Sequence, residues 1–131
     1  MTRKITVLCV ATALCLGTAM SVSATTCKKD PKAFTDAYID YVVGDDEKVK
    51  GKAYARTGNA NMKKISVFGT FYQGNVKKEQ GSNSTTTHNE TAWYTREYDS
   101  SGSYSLNSVS RTYYKDGTES CQSSMKNFSW H

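Results

Sequence analysis

The chain has few of the residues that usually mark a reaction centre. Histidine occurs twice, as His88 and the terminal His131, and cysteine four times. Two of the cysteines, Cys9 and Cys15, lie in an apolar leader; with only Cys27, Cys121 and two histidines left, no structural zinc site is expected. Long apolar runs are absent beyond the leader, and a mean hydropathy of −0.62 excludes a polytopic membrane protein. No Gly-x-Ser-x-Gly elbow, phosphate-binding loop, dinucleotide fingerprint or His-Glu-x-x-His helix occurs, so the sequence calls for no cofactor. With 131 residues there is room for one hydrophobic core and not for two.

What is present begins with an export signal. Arg3-Lys4 gives a basic start, an uncharged apolar run extends from Ile5 to Met20, and Ser21-Val22-Ser23-Ala24 supplies a cleavage site. Leu14 before Cys15 speaks against lipidation. The expectation is a secreted domain over 25–131 with no stable transmembrane segment after cleavage. Loss of Arg3 and Lys4 lowers the net charge from +5 to +3. In an exported chain, Cys27 and Cys121 are expected to form a single disulfide. Closing so long a loop would contribute about 4–5 kcal/mol in the chain-entropy account.

The periodicity of the chain changes once. Asp30-Pro31 resembles a helix start, and Phe34, Ala37, Tyr38, Tyr41 and Val42 follow at i, i+3, i+4, i+7 and i+8. These residues predict a helix over 30–44, ended by Gly44. From Val49 onward the period is two. Strands are predicted over 49–56, 63–73, 91–98, 103–114 and 118–123, with a last short strand at Phe128 and Trp130. In the strongest, Ile65, Val67 and Phe71 take one side and Phe68 and Tyr72 the other. In 91–98, Trp93 faces one way and Ala92, Tyr94 and Tyr98 the other. Lys115-Asp116-Gly117 is a hairpin signal. The polar stretch 77–88 is either a loop or the outer part of two hairpin strands. The expected fold is α+β, one N-terminal helix packed on an antiparallel sheet of five or six strands. Its rival is a β-sandwich or small barrel with a helical lid.

Chemistry is sparse. His88, Glu90, Arg96 and Glu97 could serve as general acid, base and anion clamp in a small secreted hydrolase, but their spacing is that of any solvated strand. Asp36 and Asp40, with Asp45-Asp46-Glu47, lack the ligand spacing of a calcium loop, so no metal is expected. Asn83, Asn89 and Asn127 head Asn-x-Ser/Thr sequons. Lysines and arginines interleave with the nine tyrosines, a combination that suits single-stranded nucleic acid, anionic lipid or acidic glycan. A charge of +3 and export disfavour nucleic acid. The leading expectation is a non-enzymatic exported interaction protein, an effector, toxin-like factor or inhibitor. Its partner would be an extracellular or target-cell protein, or an anionic cell envelope. An envelope-active antimicrobial protein is the alternative. The expected contact residues are Tyr94, Arg96, Tyr98 and Tyr113, with the 77–88 stretch, because tyrosine and arginine carry much of the binding energy at interfaces.

Overall fold

The structure, a computed structural model, describes residues 29–131. Their backbone forms seven strands: β1 (Ala33–Val42), β2 (Lys48–Thr57), β3 (Met62–Gln73), β4 (Val76–Thr85), β5 (Thr91–Tyr94), β6 (Gly102–Tyr114) and β7 (Glu119–Trp130). They make a three-stranded sheet in the order β1-β2-β5 and a four-stranded sheet in the order β4-β3-β6-β7. Every pairing is antiparallel.

The expected α+β fold is therefore wrong. Among the described residues there is no helix, whether packed on a sheet or serving as a lid, and the strands number seven in two sheets. The segment predicted as a helix is β1. A four-residue spacing is also an even spacing, so the Phe34, Tyr38 and Val42 that appear to stripe a helix lie on one face of a strand. That face is the outer one, with Phe34 and Tyr38 each 41% exposed. The inner face is Ala33, Thr35 and Ala37, all buried, continued by half-buried Ile39 and Tyr41. Six of the ten β1 residues, Phe34, Thr35, Tyr38, Ile39, Tyr41 and Val42, are aromatic or β-branched, a composition that favours extended backbone. Asp30 caps no helix. Its carboxylate accepts from the Lys32 amide at 2.9 Å and its carbonyl from the Ala33 amide at 3.0 Å, a turn that leads into the strand.

Residues 1–24, expected to be a signal peptide, lie outside the described residues, and so does Cys27. Among the described residues Cys121 is the only cysteine, and no disulfide is formed within them. The expected single-disulfide framework is thus no part of the described architecture. Cys121 is 5% exposed on β7. The segment 77–88 is largely β4, paired with β3 from Ile65↔Thr85 to Gln73↔Val76. The two short strands predicted from Thr118 onward are one long strand, β7 over Glu119–Trp130. At the 115–117 turn, Gly117 adopts φ 86°, the conformation that its place in the hairpin signal anticipates.

The two sheets pack unequal faces together. The three-stranded sheet offers mostly small residues, Ala37, Gly51, Ala53 and Ala55, beside Val49 and Trp93. The four-stranded sheet offers large ones, Ile65, Val67, Phe71, Tyr104 and Leu106. Each fully buried large side chain contributes roughly 1.5–3 kcal/mol by leaving water. Tyr98 and Tyr104 stack on Phe71 from centroid distances of 5.4 and 5.5 Å. At one end Tyr41 packs against Phe128 and Trp130 of β7, at 5.1 and 5.2 Å. Trp93, on the inner face of β5, touches both core clusters. Its indole lies over Gly69 and Gly81, which are register partners on β3 and β4. A Cβ at Gly69 would stand 2.2 Å from the ring and one at Gly81 2.1 Å from it, so only glycine leaves room for the indole. Packing of Trp93 thus carries the short strand β5, and the outer face of the sheet that β5 completes.

Candidate functional site

The outer face of β1-β2-β5 brings together aromatic rings and cations from three strands. Register places Tyr38 opposite Lys52, and Lys52 opposite Tyr94. The next rows are Asp36 with Tyr54 and Ala92, then Phe34 with Arg56. Alternation on each strand turns these residues outward, since their neighbours Thr35, Ala37, Ala53 and Ala55 are buried.

Lys52 stands at the centre. Its Nζ lies 4.8 Å from the Tyr54 ring centroid, 5.8 Å from that of Tyr94 and 5.9 Å from that of Tyr38. Arg56 stacks on Phe34 at 5.3 Å. Contacts of this kind contribute about 0.5–1 kcal/mol each at exposed sites. Tyr54 is the floor of the cluster at 9% exposure, with Phe34 and Tyr38 edge-on to it at 6.2 Å each. Its hydroxyl donates to Glu90 at 2.7 Å. Burial first, then that bond and the Glu90 charge, push the Tyr54 pKa above its ordinary value. Tyr38 is raised by partial burial and then by Asp36, while Lys52 and Arg56 pull the other way. Tyr94 is the most exposed ring of the group at 57%.

The expected contact residues do not share this surface. Only Tyr94 belongs to it. Tyr98 is buried, because β5 ends at Tyr94 and the chain then turns inward. The Thr95 amide donates to the Gly51 carbonyl at 2.9 Å, and Tyr98 bridges to Val49. Arg96 is exposed at this edge, where its Nε donates to the Tyr98 hydroxyl at 3.2 Å and its amide to Glu79 at 2.7 Å. Tyr113 lies on the opposite side of the molecule, on the outer face of β6, with Lys64 over its ring at 5.8 Å. The interleaving of tyrosine with Lys50, Lys52 and Arg56 was the signal that marked the outer face. Phe34 and Tyr38 were missed because a helix would have buried them.

Other candidates are dispersed. His88 is exposed between β4 and β5, and the hydrogen bonds and ion pairs formed among the described residues include none that joins it to Glu90 or Arg96. No group of three or more His, Cys, Asp or Glu side chains among the described residues is placed to hold a metal ion. Asn83 uses its amide to donate to the Ala92 carbonyl at 2.9 Å, whereas Asn89 and Asn127 are exposed. A cleft of about 300 Å³ beside Asp30 and Tyr114 is lined by groups already bonded to one another: Tyr114 donates to Asp30, as does Asn59 at 3.1 Å. No protein-family model matches the chain, and no curated protein does. What the aromatic face offers chemically is adhesion: flat rings, hydroxyls and two cations on a rigid three-stranded base.

Proposed function

We propose that this chain is an exported, non-enzymatic interaction protein, which binds a target outside the producing cell through the outer face of β1-β2-β5. The observation that carries this is Lys52 ringed by Tyr38, Tyr54 and Tyr94 on a surface that leaves Phe34, Tyr38 and Tyr94 between 41% and 57% exposed. Large rings at the surface cost solubility and add nothing to the core, so a binding role accounts for them better than a folding role. The leader over 1–24 supports export and the targets that export makes accessible.

The test is binding of the mature, labelled protein to candidate target cells and to their secreted fractions. Tyr38→Ser/Tyr94→Ser removes exposed rings with little loss of core packing. Saturable binding that disappears in this variant, while it remains folded at the assay temperature with its melting temperature lowered by only a few degrees, supports the proposal. Binding that survives undiminished refutes it.

A further inference from the structure

The chemical class of the ligand follows from which groups of the outer face are already committed. Two of its carboxylates are engaged within the protein. Glu90 accepts from the Tyr54 hydroxyl at 2.7 Å. Asp36 bends over the β1 edge, where it accepts from the Ala37 amide at 2.8 Å and from the Ser124 hydroxyl at 3.1 Å. Only Asp40, at the far end opposite Lys50, lacks such a partner on the face. The cations are in the reverse condition. Ion pairs among the described residues join Lys48 to Glu97, Arg96 to Glu79 and Arg111 to Glu119, and none engages Lys50, Lys52 or Arg56. Lys52 and Arg56 are steadied by ring faces, which leave their positive charge available to an incoming anion.

The apolar character of the face is aromatic apart from Ala92 and, at its far end, Val42. It lacks the leucines and isoleucines that an acyl layer takes up, and its tyrosines carry hydroxyls that favour a hydrated ligand. Its cations are also too few to follow a phosphate at every nucleotide: Lys50, Lys52 and Arg56 are three on a single strand, with Tyr54 in place of a cation between the last two. A sugar ring, by contrast, presents a C–H face that stacks on an aromatic plane and an edge of hydroxyl and carboxylate oxygens that accept from cations. Tyr38 and Tyr94 flank Lys52 across two strand spacings, about 10 Å, which a short oligosaccharide spans.

We propose that this face binds an acidic polysaccharide chain, with sugar rings against Tyr38 and Tyr94 and their carboxylates at Lys52 and Arg56. The inference rests on the reading of this face as the contact surface, and it adds the ligand class.

Calorimetric titration of the mature protein with polygalacturonate tests it, with fully methyl-esterified polygalacturonate as the uncharged counterpart of the same backbone. The acidic chain should bind, more weakly as salt rises, and the ester at least tenfold more weakly, about the scale of one charge-assisted hydrogen bond. Lys52→Gln should lower affinity for the acid by about tenfold while Lys52→Arg retains it, and Tyr38→Ser/Tyr94→Ser should abolish binding while the protein stays folded at the assay temperature. Equal affinity for acid and ester overturns the anionic ligand. Affinity for the acid that is indifferent to Lys52→Gln and to the tyrosine pair overturns the site. No affinity for either polymer, with cell, vesicle or protein binding that still depends on Tyr38 and Tyr94, overturns the polysaccharide and leaves the contact surface standing.

Discussion

Trp93 and the two glycines beneath it allow a quantitative test of how the aromatic face is supported. A Cβ added at Gly81 would meet three atoms of one side chain, Trp93 Nε1 at 2.1 Å, Cε2 at 2.7 Å and Cδ1 at 2.8 Å. Contacts below 3 Å force the indole or strand β4 to move, and the indole touches both core clusters and cannot move alone. Gly81→Ala should therefore destabilise by about 2–3 kcal/mol, the upper part of the usual overpacking range. Trp93→Ala should cost about 3 kcal/mol, at the lower end for a large aromatic because the ring is only partly buried. In the Trp93→Ala background the obstacle is gone. Gly81→Ala should there be neutral or stabilising by up to about 1 kcal/mol, since alanine suits a strand better than glycine. The coupling energy is then at least about 2 kcal/mol. Urea unfolding of the four proteins measures it: at a slope near 1–2 kcal/mol/M, Gly81→Ala should lower the midpoint by about 1–3 M in the native background and leave it unchanged or raise it beside Trp93→Ala. An equal drop in both backgrounds would show that the indole is not what excludes a side chain at position 81.

Three further outcomes are expected. Tyr98→Phe loses only the hydroxyl that accepts from Arg96 and should cost about 1 kcal/mol, whereas Tyr98→Ala should cost about 3–4 kcal/mol by emptying the stack on Phe71; neither should reduce target binding in the cell assay beyond the fraction unfolded. The buried hydroxyls of Thr35 and Ser110 bond to each other between the sheets, so Thr35→Val or Ser110→Ala alone should cost about 1–3 kcal/mol in thermal unfolding, and the double variant less than the sum. Burial raises the Asp30 pKa, but hydrogen bonds from Tyr114, the Lys32 amide and Asn59 outweigh it and hold the carboxylate below its ordinary 3.8. A folded pKa below the unfolded one adds stability that is full above the ordinary carboxylate range and is lost as pH falls through 3.8 toward the folded value. Urea midpoints measured against pH should show that acid limb, and Asp30→Asn should flatten it.

The strand content was legible wherever one face meets the core and the other meets water. In β3 the alternation of Ile65, Val67 and Phe71 with Phe68 and Tyr72 is a period-two pattern with no helical counterpart, and β6 and its 115–117 turn are equally unambiguous. The division into two sheets was not legible, because nothing local in β5 announces that it pairs with β2 while its neighbour β4 pairs with β3. The Gly69–Gly81–Trp93 contact is also invisible in sequence: three residues on three strands meet only once register is fixed.

At β1 the misassigned element and the missed site have a single cause. Phe34, Tyr38 and Val42 recur every four residues, a spacing that fits both a helix and one face of a strand, and the choice between them normally rests on which side is apolar. A strand whose outer face carries the large rings and whose inner face carries Ala33, Thr35 and Ala37 inverts that criterion. Assuming that the large rings are buried leads to a helix, and then removes Phe34 and Tyr38 from the surface on which they meet Lys52 and Arg56. The inversion has a structural basis in the opposing sheet, where Phe71, Tyr104 and Leu106 fill the core and demand small partners. Gly51 states the demand most directly, since a Cβ there would stand 2.9 Å from Leu106. Freed from packing, the outer positions of β1 and β2 can hold rings that folding does not need, and such rings are the ones most available for binding.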